Sequence, residues 1–468
     1  LANLIEVNGE KVEINNEEQA KIHTQYLETA QYSVEKITKK ESKRLPAAPF
    51  TTSTLQQAAA NRLGYAPKRT MRLAQDLYEQ GLISYMRTDS VNLSPQAVAS
   101  TRKYILEKFG KEYVPANERK YKAKSRLAQE AHEAIRPTNI NVEPSTLEGD
   151  FAKLYDLIWK RMVVCQMAEA IVAETQIDIS ANADSTPNYL MRVNGQKIKF
   201  AGWYKVYDKP QIKEQLLPDL ANGEDLDLVK VNSAQKFTEP PARYTEAMLI
   251  KDLEKHDIGR PSTYAPTIST LYERAYIEKM EAKKIAPTPI GTTTLDFLVK
   301  YFPNIVDLAF TAEMENDLDE IAQGKEKMAP TMEKFWGPFE KQVEKVGEEA
   351  EKMKVVAEET DEVCEKCGKP MVIRYGRFGK FMACSGFPDC KNTKAIIEET
   401  GMLCPDDGGN IVTKKTRRGK MFWGCSNYPN CKWASWTKPN FVAEKEKKEE
   451  EENNENQPEE LKEPESNE

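Results

Sequence analysis

No stretch of this 468-residue sequence stays apolar for the ~20 residues that a membrane-spanning helix needs. Its start also lacks the charged, apolar and small-residue order of a secretory signal. Both absences point to a cytoplasmic protein. No P-loop occurs, so no ATP-driven motor is visible in the sequence. Cysteine is almost missing before residue 364. Of eight cysteines only Cys165 precedes that point, in "RMVVCQMAEA", where it reads as a buried small hydrophobe. An initiating Met is absent too: Leu1 opens "LIEVNGEKVEI", two strand-like pieces about an Asn-Gly turn, as expected of a fragment without its natural N-terminus.

What is present is unevenly distributed. The net charge of -7 argues at first against a polyanionic partner. From Ala443 onward, however, 12 Glu face 4 Lys, so the rest of the chain carries about +1. Residues 364–438 hold 14 Lys plus Arg against 6 Asp plus Glu. A basic module therefore precedes an acidic tail, 443–468, whose composition cannot bury a core and predicts disorder.

The length predicts three or more domains in a multidomain α+β chain. Residues 1–45 read as β-rich and then helical, forming the first part of a β-rich arch. Residues 46–170 read as mainly helical, 171–240 as a second β-rich part of the same arch, and 241–350 as a helical domain. "EDLDLV" contains Asp225 and Asp227, read as surface strand chemistry. An internal repeat of roughly 40 residues follows, over 361–400 and 401–442. "GRFGKFMACSGFPDCKNT" and "TRRGKMFWGCSNYPNCKWA" share basic residues, Gly-Lys, Cys-Ser, aromatic-Pro and Cys in one order.

In the first repeat Cys364 and Cys367 form C-x2-C, and Cys384 and Cys390 form C-x5-C after a β-rich spacer. Four thiolates from two knuckles close a tetrahedron around zinc, a structural site without an open position. The second repeat offers Cys404, Cys425 and Cys431, with Asp407 where the first has Cys367. A carboxylate ligates zinc but matches a thiolate-rich site less well, so this repeat either holds zinc through Asp407 or keeps its fold without metal. Arg377 and Phe378 in one repeat, and Arg417, Phe422 and Trp423 in the other, alternate cationic and flat side chains. Such surfaces pair with phosphates and stack on unpaired bases.

The helical part contains "GLISYMRTDS", residues 81–90. Upstream, Ser53 or Thr54 is expected to cap one helix, Pro67 to open a second and Gly81 to end it. The motif itself reads as a strand. Period two places Ile83, Tyr85 and Arg87 on one face, with Tyr85 and Arg87 roughly 7 Å apart. A tyrosine hydroxyl has a pKa near 10, so ionising it at pH 7 costs about 4 kcal/mol in water. A neighbouring guanidinium offsets part of that cost and also suits phosphodiester oxygens.

Four motifs in this order, "APFTTSTLQQAAANRLGY", "LYEQGLISYMRTDS", "AHEAIRPT" and "IGRPSTYAPTISTLYERAYI", resemble those of the type IA DNA topoisomerases, specifically bacterial topoisomerase I. "FTAEMENDLDEIAQGK" and the two ribbons extend the resemblance through nearly the whole chain except the tail. The resemblance implies that Tyr85 attacks a phosphodiester of single-stranded DNA and forms a 5′-phosphotyrosine. A second strand passes and the reversal reseals the break without ATP, relaxing negatively supercoiled DNA. It implies that Arg87 contacts the scissile phosphate and that His132 assists. Asp89, Arg136, Arg260, Thr263 and Arg274 are implied to orient or hold DNA. If helical, His132 and Arg136 would share a face, although Pro137 disfavours helix there. The family's magnesium is implied to bind acidic residues of a Toprim domain, whose motifs do not occur in this sequence. The expectation is therefore a monomeric, nucleoid-associated DNA-binding chain that cannot complete the reaction alone. The alternatives are a non-catalytic single-strand-binding protein and the core of a reverse gyrase.

Overall fold

In the computed structural model the described residues are 1–122, 132–182, 188–207, 211–351, 353, 358–376, 379–396, 399–415, 421–436 and 439. The chain is an α+β multidomain protein. It divides into two compact units, Leu1–Lys352 and Met353–Glu468.

The first unit opens with β1 (Asn3–Val7) and β2 (Glu10–Lys11). Asn8 and Gly9 join them, both with positive φ, as a two-residue hairpin turn requires. Helix α1 (Glu17–Thr29) is capped by the Asn16 side chain and leads into β3 (Gln31–Arg44). The long β3 departs from the helix expected at the end of 1–45. "KITKKESKR" has no apolar alternation to mark a strand, and of β3 only Val34 is buried. Pairing with β4 (Ala170–Asn182), not local pattern, extends it.

Strand β5 (Tyr189–Phe200) and the two-residue β6 (Asp225–Leu226) complete an antiparallel sheet of order β2-β1-β5-β4-β3-β6. Strands from before and after the helical stretch thus meet in one sheet. After β5 the stretch to 240, expected to be β-rich, carries among the described residues only the short strand β6, with Asp225 and Asp227 exposed.

Between β3 and β4 lie α2 (Thr52–Arg62), α3 (Pro67–Glu79), α4 (Pro95–Phe109) and α5 (Gly149–Cys165). Their apolar faces enclose the largest core, with Phe50, Leu55, Leu77, Ile105, Leu154 and Ile158 each less than 1 % exposed. Cys165 belongs to this core, and burial pushes its thiol up to about 12. No helix among the described residues is long and apolar enough to cross a membrane.

After β6 come α6 (Glu246–Lys255), α7 (Tyr264–Glu273), a hairpin of β7 (Ile277–Lys279) and β8 (Ile285–Pro287), then α8 (Pro289–Tyr301), α9 (Pro303–Val306), α10 (Leu308–Ala322) and α11 (Met328–Glu349). The second unit holds two four-stranded antiparallel sheets. One contains β9 (Glu358–Val363), β10 (Pro370–Gly376), β11 (Gly379–Cys384) and β12 (Thr393–Ala395). The other contains β13 (Glu399–Leu403), β14 (Asn410–Lys415), β15 (Met421–Cys425) and β16 (Ala434–Ser435).

Candidate active site and metal centres

The "GLISYMRTDS" segment is not a strand. Gly81 ends α3 with a φ of 71°, and the chain then makes one isolated antiparallel bridge, Ile83 to Pro137. Ser84 N–H donates to Arg136 O (2.8 Å) and Thr138 N–H to Leu82 O (3.0 Å). Neither bond uses the nitrogen of Pro137, so the bridge tolerates a residue without an N–H. The Ser84 hydroxyl adds two more bonds, donating to Ala134 O (2.7 Å) and accepting from Arg136 N–H (2.9 Å).

The other flank is held by the start of α2. Thr51, rather than Ser53 or Thr54, caps this helix, and Thr54 completes the reciprocal capping box. Thr52, fully buried, uses one hydroxyl twice: it donates to Met86 O (2.7 Å) and accepts from Thr88 N–H (2.9 Å).

These anchors fix what faces outward. Met86, Thr88 and Ser90 are buried, whereas Tyr85 is 44 % exposed and Arg87 is exposed. Ile83 departs from the expected face: it is buried in the helical core, because bridging to Pro137 turns it inward. Burying Ile83 and Met86 is worth about 1.5–3 kcal/mol each, so the segment is anchored by its own apolar residues. The Tyr85 ring meets the edge of Tyr78 from α3, with centroids 5.4 Å apart.

His132 is half-buried at the start of the extended segment that bonds to residues 82–84, so it does not share a helix face with Arg136. Arg136 is committed within the protein: its Nη2 lies 2.6 Å from Glu133 Oε2 and its Nη1 donates to Pro137 O. Glu133 also accepts from Ser94 N–H, the cap of α4. Burial opposes its charge, but hydrogen bonds from Arg136 and Ser94 outweigh that and hold its carboxyl below the ordinary 4.5. Glu133 was not singled out from the sequence; its spacing of three from Arg136 was the available signal.

Helix α6 approaches α2 through Glu254, which accepts from Ser53 Oγ (2.6 Å). Arg260, between α6 and α7, lies 2.7 Å from Asp319 and 3.6 Å from Glu315, both on α10. Burial works against its charge, yet these carboxylates raise its pKa. Thr263 Oγ1 closes the same turn, accepting from Arg260 N–H (2.8 Å). Tyr264 is pushed up to about 12 chiefly by burial and then by the charge of Glu254, and Asp89 is half-buried. Arg274 is exposed at the C-cap of α7.

In the second unit the ligand atoms of Cys364, Cys367, Cys384 and Cys390 lie within 4.8 Å of one another, as do those of Cys404, Asp407, Cys425 and Cys431. Zinc–sulfur bonds of about 2.3 Å space tetrahedral sulfurs by about 3.8 Å. The Cys364–Cys390 and Cys404–Cys431 sulfur pairs are each 3.7 Å apart and Cys367–Cys384 is tighter at 3.2 Å; with four converging ligand atoms in each set, both are of a kind that can hold zinc. Burial opposes a thiolate at Cys364, but donors from Lys366, Asn392 and Cys367 bring it down to about 6. When bound, zinc would crosslink the two knuckles of each sheet, whose cores are otherwise little more than the cysteines and four apolar side chains.

Arg377, Phe378 and Arg417 lie outside the described residues, as does the tail. Phe422 is half-buried against exposed Trp436, and Trp423 packs on the ribbon core. Beside Trp436, the exposed rings among the described ribbon residues are Phe387 and Tyr428, the aromatic-Pro residues of the two repeats. Arg374 lies 5.4 Å from the Phe387 centroid and Lys414 5.1 Å from that of Tyr428. Their recurrence was visible in the sequence, but only the structure separates exposed from packed aromatics.

A family model described as DNA topoisomerase matches residues 2–333, and one described as topoisomerase DNA binding C4 zinc finger matches residues 361–399 and 401–440. The crystal structure of full-length topoisomerase I from Thermotoga maritima is similar at 33 % identity and a TM-score of 0.65, over 86 % of this chain. The match covers 66 % of that longer chain. With its topoisomerase region and two C4-type ribbons, the chain belongs to the bacterial type IA DNA topoisomerase family.

Proposed function

We propose that Tyr85 is the nucleophile of a DNA strand-cleaving reaction that relaxes negatively supercoiled DNA without ATP. Its hydroxyl oxygen attacks phosphorus, giving up its proton to solvent, and forms a 5′-phosphotyrosine as the P–O3′ bond breaks and the 3′-oxygen takes up a proton from solvent. After strand passage the 3′-hydroxyl loses that proton as it attacks phosphorus, and the released Tyr85 oxygen is reprotonated. Arg87 neutralises the phosphate and His132 assists nearby. Asp89, Arg136, Arg260, Thr263 and Arg274 arrange the DNA path, with Arg136 acting through Glu133. The observation that carries this reading is an outward-facing Tyr85 on an irregular segment locked on both flanks by buried hydrogen bonds.

The finer organisation belongs to the same reading: an arch from 1–45 and 171–240, a tyrosine domain over 46–170, a helical domain over 241–350 and ribbons that bind single strands. Phe387 and Tyr428 join the ribbon's base-stacking surface. Among the described residues the groupings able to hold a metal are the two ribbon clusters, and neither is an acidic set beside Tyr85 of the kind that suits magnesium. Magnesium chemistry would come from a Toprim domain, and the chain alone binds single-stranded DNA without relaxing plasmid.

The test incubates end-labelled single-stranded DNA with the chain, with and without a separately expressed Toprim fragment and magnesium. A covalent adduct on Tyr85 that disappears in Tyr85→Phe supports the nucleophile. An adduct that persists in Tyr85→Phe overturns it, and DNA binding without any adduct favours a pure binding protein. Efficient magnesium-dependent relaxation by the chain alone refutes the need for a second piece.

A further inference from the structure

The second ribbon differs from the first at three positions that meet in space. Aligning the repeats sets Cys367 against Asp407, Lys369 against Gly409 and Gly386 against Asn427. In the first ribbon the Lys369 stem covers Gly386: a Cβ there would stand 3.0 Å from Lys369 Cδ. In the second the arrangement is exchanged. Gly409 vacates the space and Asn427 fills it, so a Cβ on Gly409 would fall 2.6 Å from Asn427 Nδ2 and 3.0 Å from Cys425 Sγ.

The exchange delivers a donor to the altered ligand. Asn427 Nδ2 donates to Asp407 Oδ2 (2.9 Å), while Oδ1 accepts from Gly409 N–H (3.0 Å) and sits 3.1 Å from Cys425 Sγ. A free carboxylate has two equivalent oxygens and rotates about its Cβ–Cγ bond. Tying Oδ2 to Asn427 leaves Oδ1 as the oxygen beside the Cys425 sulfur. Otherwise the knuckles match: Gly368 N–H donates to Cys364 O (2.8 Å) and Gly408 N–H to Cys404 O (2.9 Å).

We propose that Asn427 is a positioning residue for an Asp407-containing zinc site, and that Gly409 exists to admit it. The inference rests on the second ribbon being a metal site. Outer partners of metal ligands typically carry about 10–100-fold in affinity.

The test uses the full chain, with the first ribbon as internal control. Zinc content is measured by atomic absorption, affinity by competition with a chromophoric chelator, and ligand identity by cobalt absorption. Wild type is expected to hold two zinc ions and Cys425→Ser one. Asn427→Gly should weaken one site by about 10–100-fold and leave the other unchanged. Asp407→Cys/Asn427→Gly should regain tight binding at both sites, with the cobalt spectrum of an all-thiolate set. A wild type that holds one zinc overturns the metal reading of the second ribbon. Two zinc ions with an unaltered Asn427→Gly overturn the positioning role alone. A double variant as weak as Asn427→Gly overturns it too, because Asn427 would then act on the fold rather than on Asp407.

Discussion

Two hydroxyls, those of Thr52 and Ser84, do for the Tyr85 segment what a strand ladder does elsewhere. Each donates to one backbone carbonyl and accepts from one N–H across a chain separation of 34 residues or more. Thr52→Val keeps the shape and strands Met86 O and Thr88 N–H in a buried setting, at about 1–3 kcal/mol. The expected outcome is a lower melting temperature for the first unit and faster hydrogen exchange at the Thr88 amide. Adduct yield should fall more than affinity for single-stranded DNA. Glu133 makes a pH-dependent contribution. Its folded pKa lies below 4.5, so its stabilisation is complete above that value and is lost as pH falls through the folded value. Melting curves of wild type and Glu133→Gln should therefore differ at pH 7 and converge in acid. Equal separation at all pH values would refute the role of its charge.

At the scale of elements, the end of α3 launches the tyrosine segment. Gly81 has a φ of 71°, and a Cβ there would meet nothing within 4 Å. Gly81→Ala should therefore cost only the left-handed backbone penalty, about 1–2 kcal/mol, visible as a modest fall in melting temperature without loss of fold. The α6–α7 turn and α10 are joined through Arg260, whose guanidinium already serves Glu315 and Asp319. On the proposed DNA path, a phosphate would have to compete with that pair. Asp319→Asn should raise single-strand affinity and steepen its salt dependence, as measured by fluorescence anisotropy across salt concentrations; unchanged affinity and slope would remove Arg260 from the DNA path.

At the scale of the whole molecule, the two units take their stability from different sources. Leu1–Lys352 has a broad apolar core, whereas the ribbons bury little besides their ligands. Strong chelation should unfold the ribbons and weaken single-strand binding while leaving the helical circular dichroism melt of the first unit in place. Loss of both together would show a shared core. The sequence alone determined the family, the ribbon repeats and the ligand sets, because the family motifs and metal knuckles are contiguous and their spacing is set by local geometry. The outward alternation of Tyr85 and Arg87 was legible for the same reason. Tertiary structure alone decided that β3 is a strand, since its partner β4 lies more than 100 residues away. It likewise decided that Ile83 turns inward, that Arg136 belongs to Glu133, and that Asn427 reaches Asp407. Those outcomes depend on which distant backbone supplies hydrogen-bond partners and space, and no local pattern carries that information.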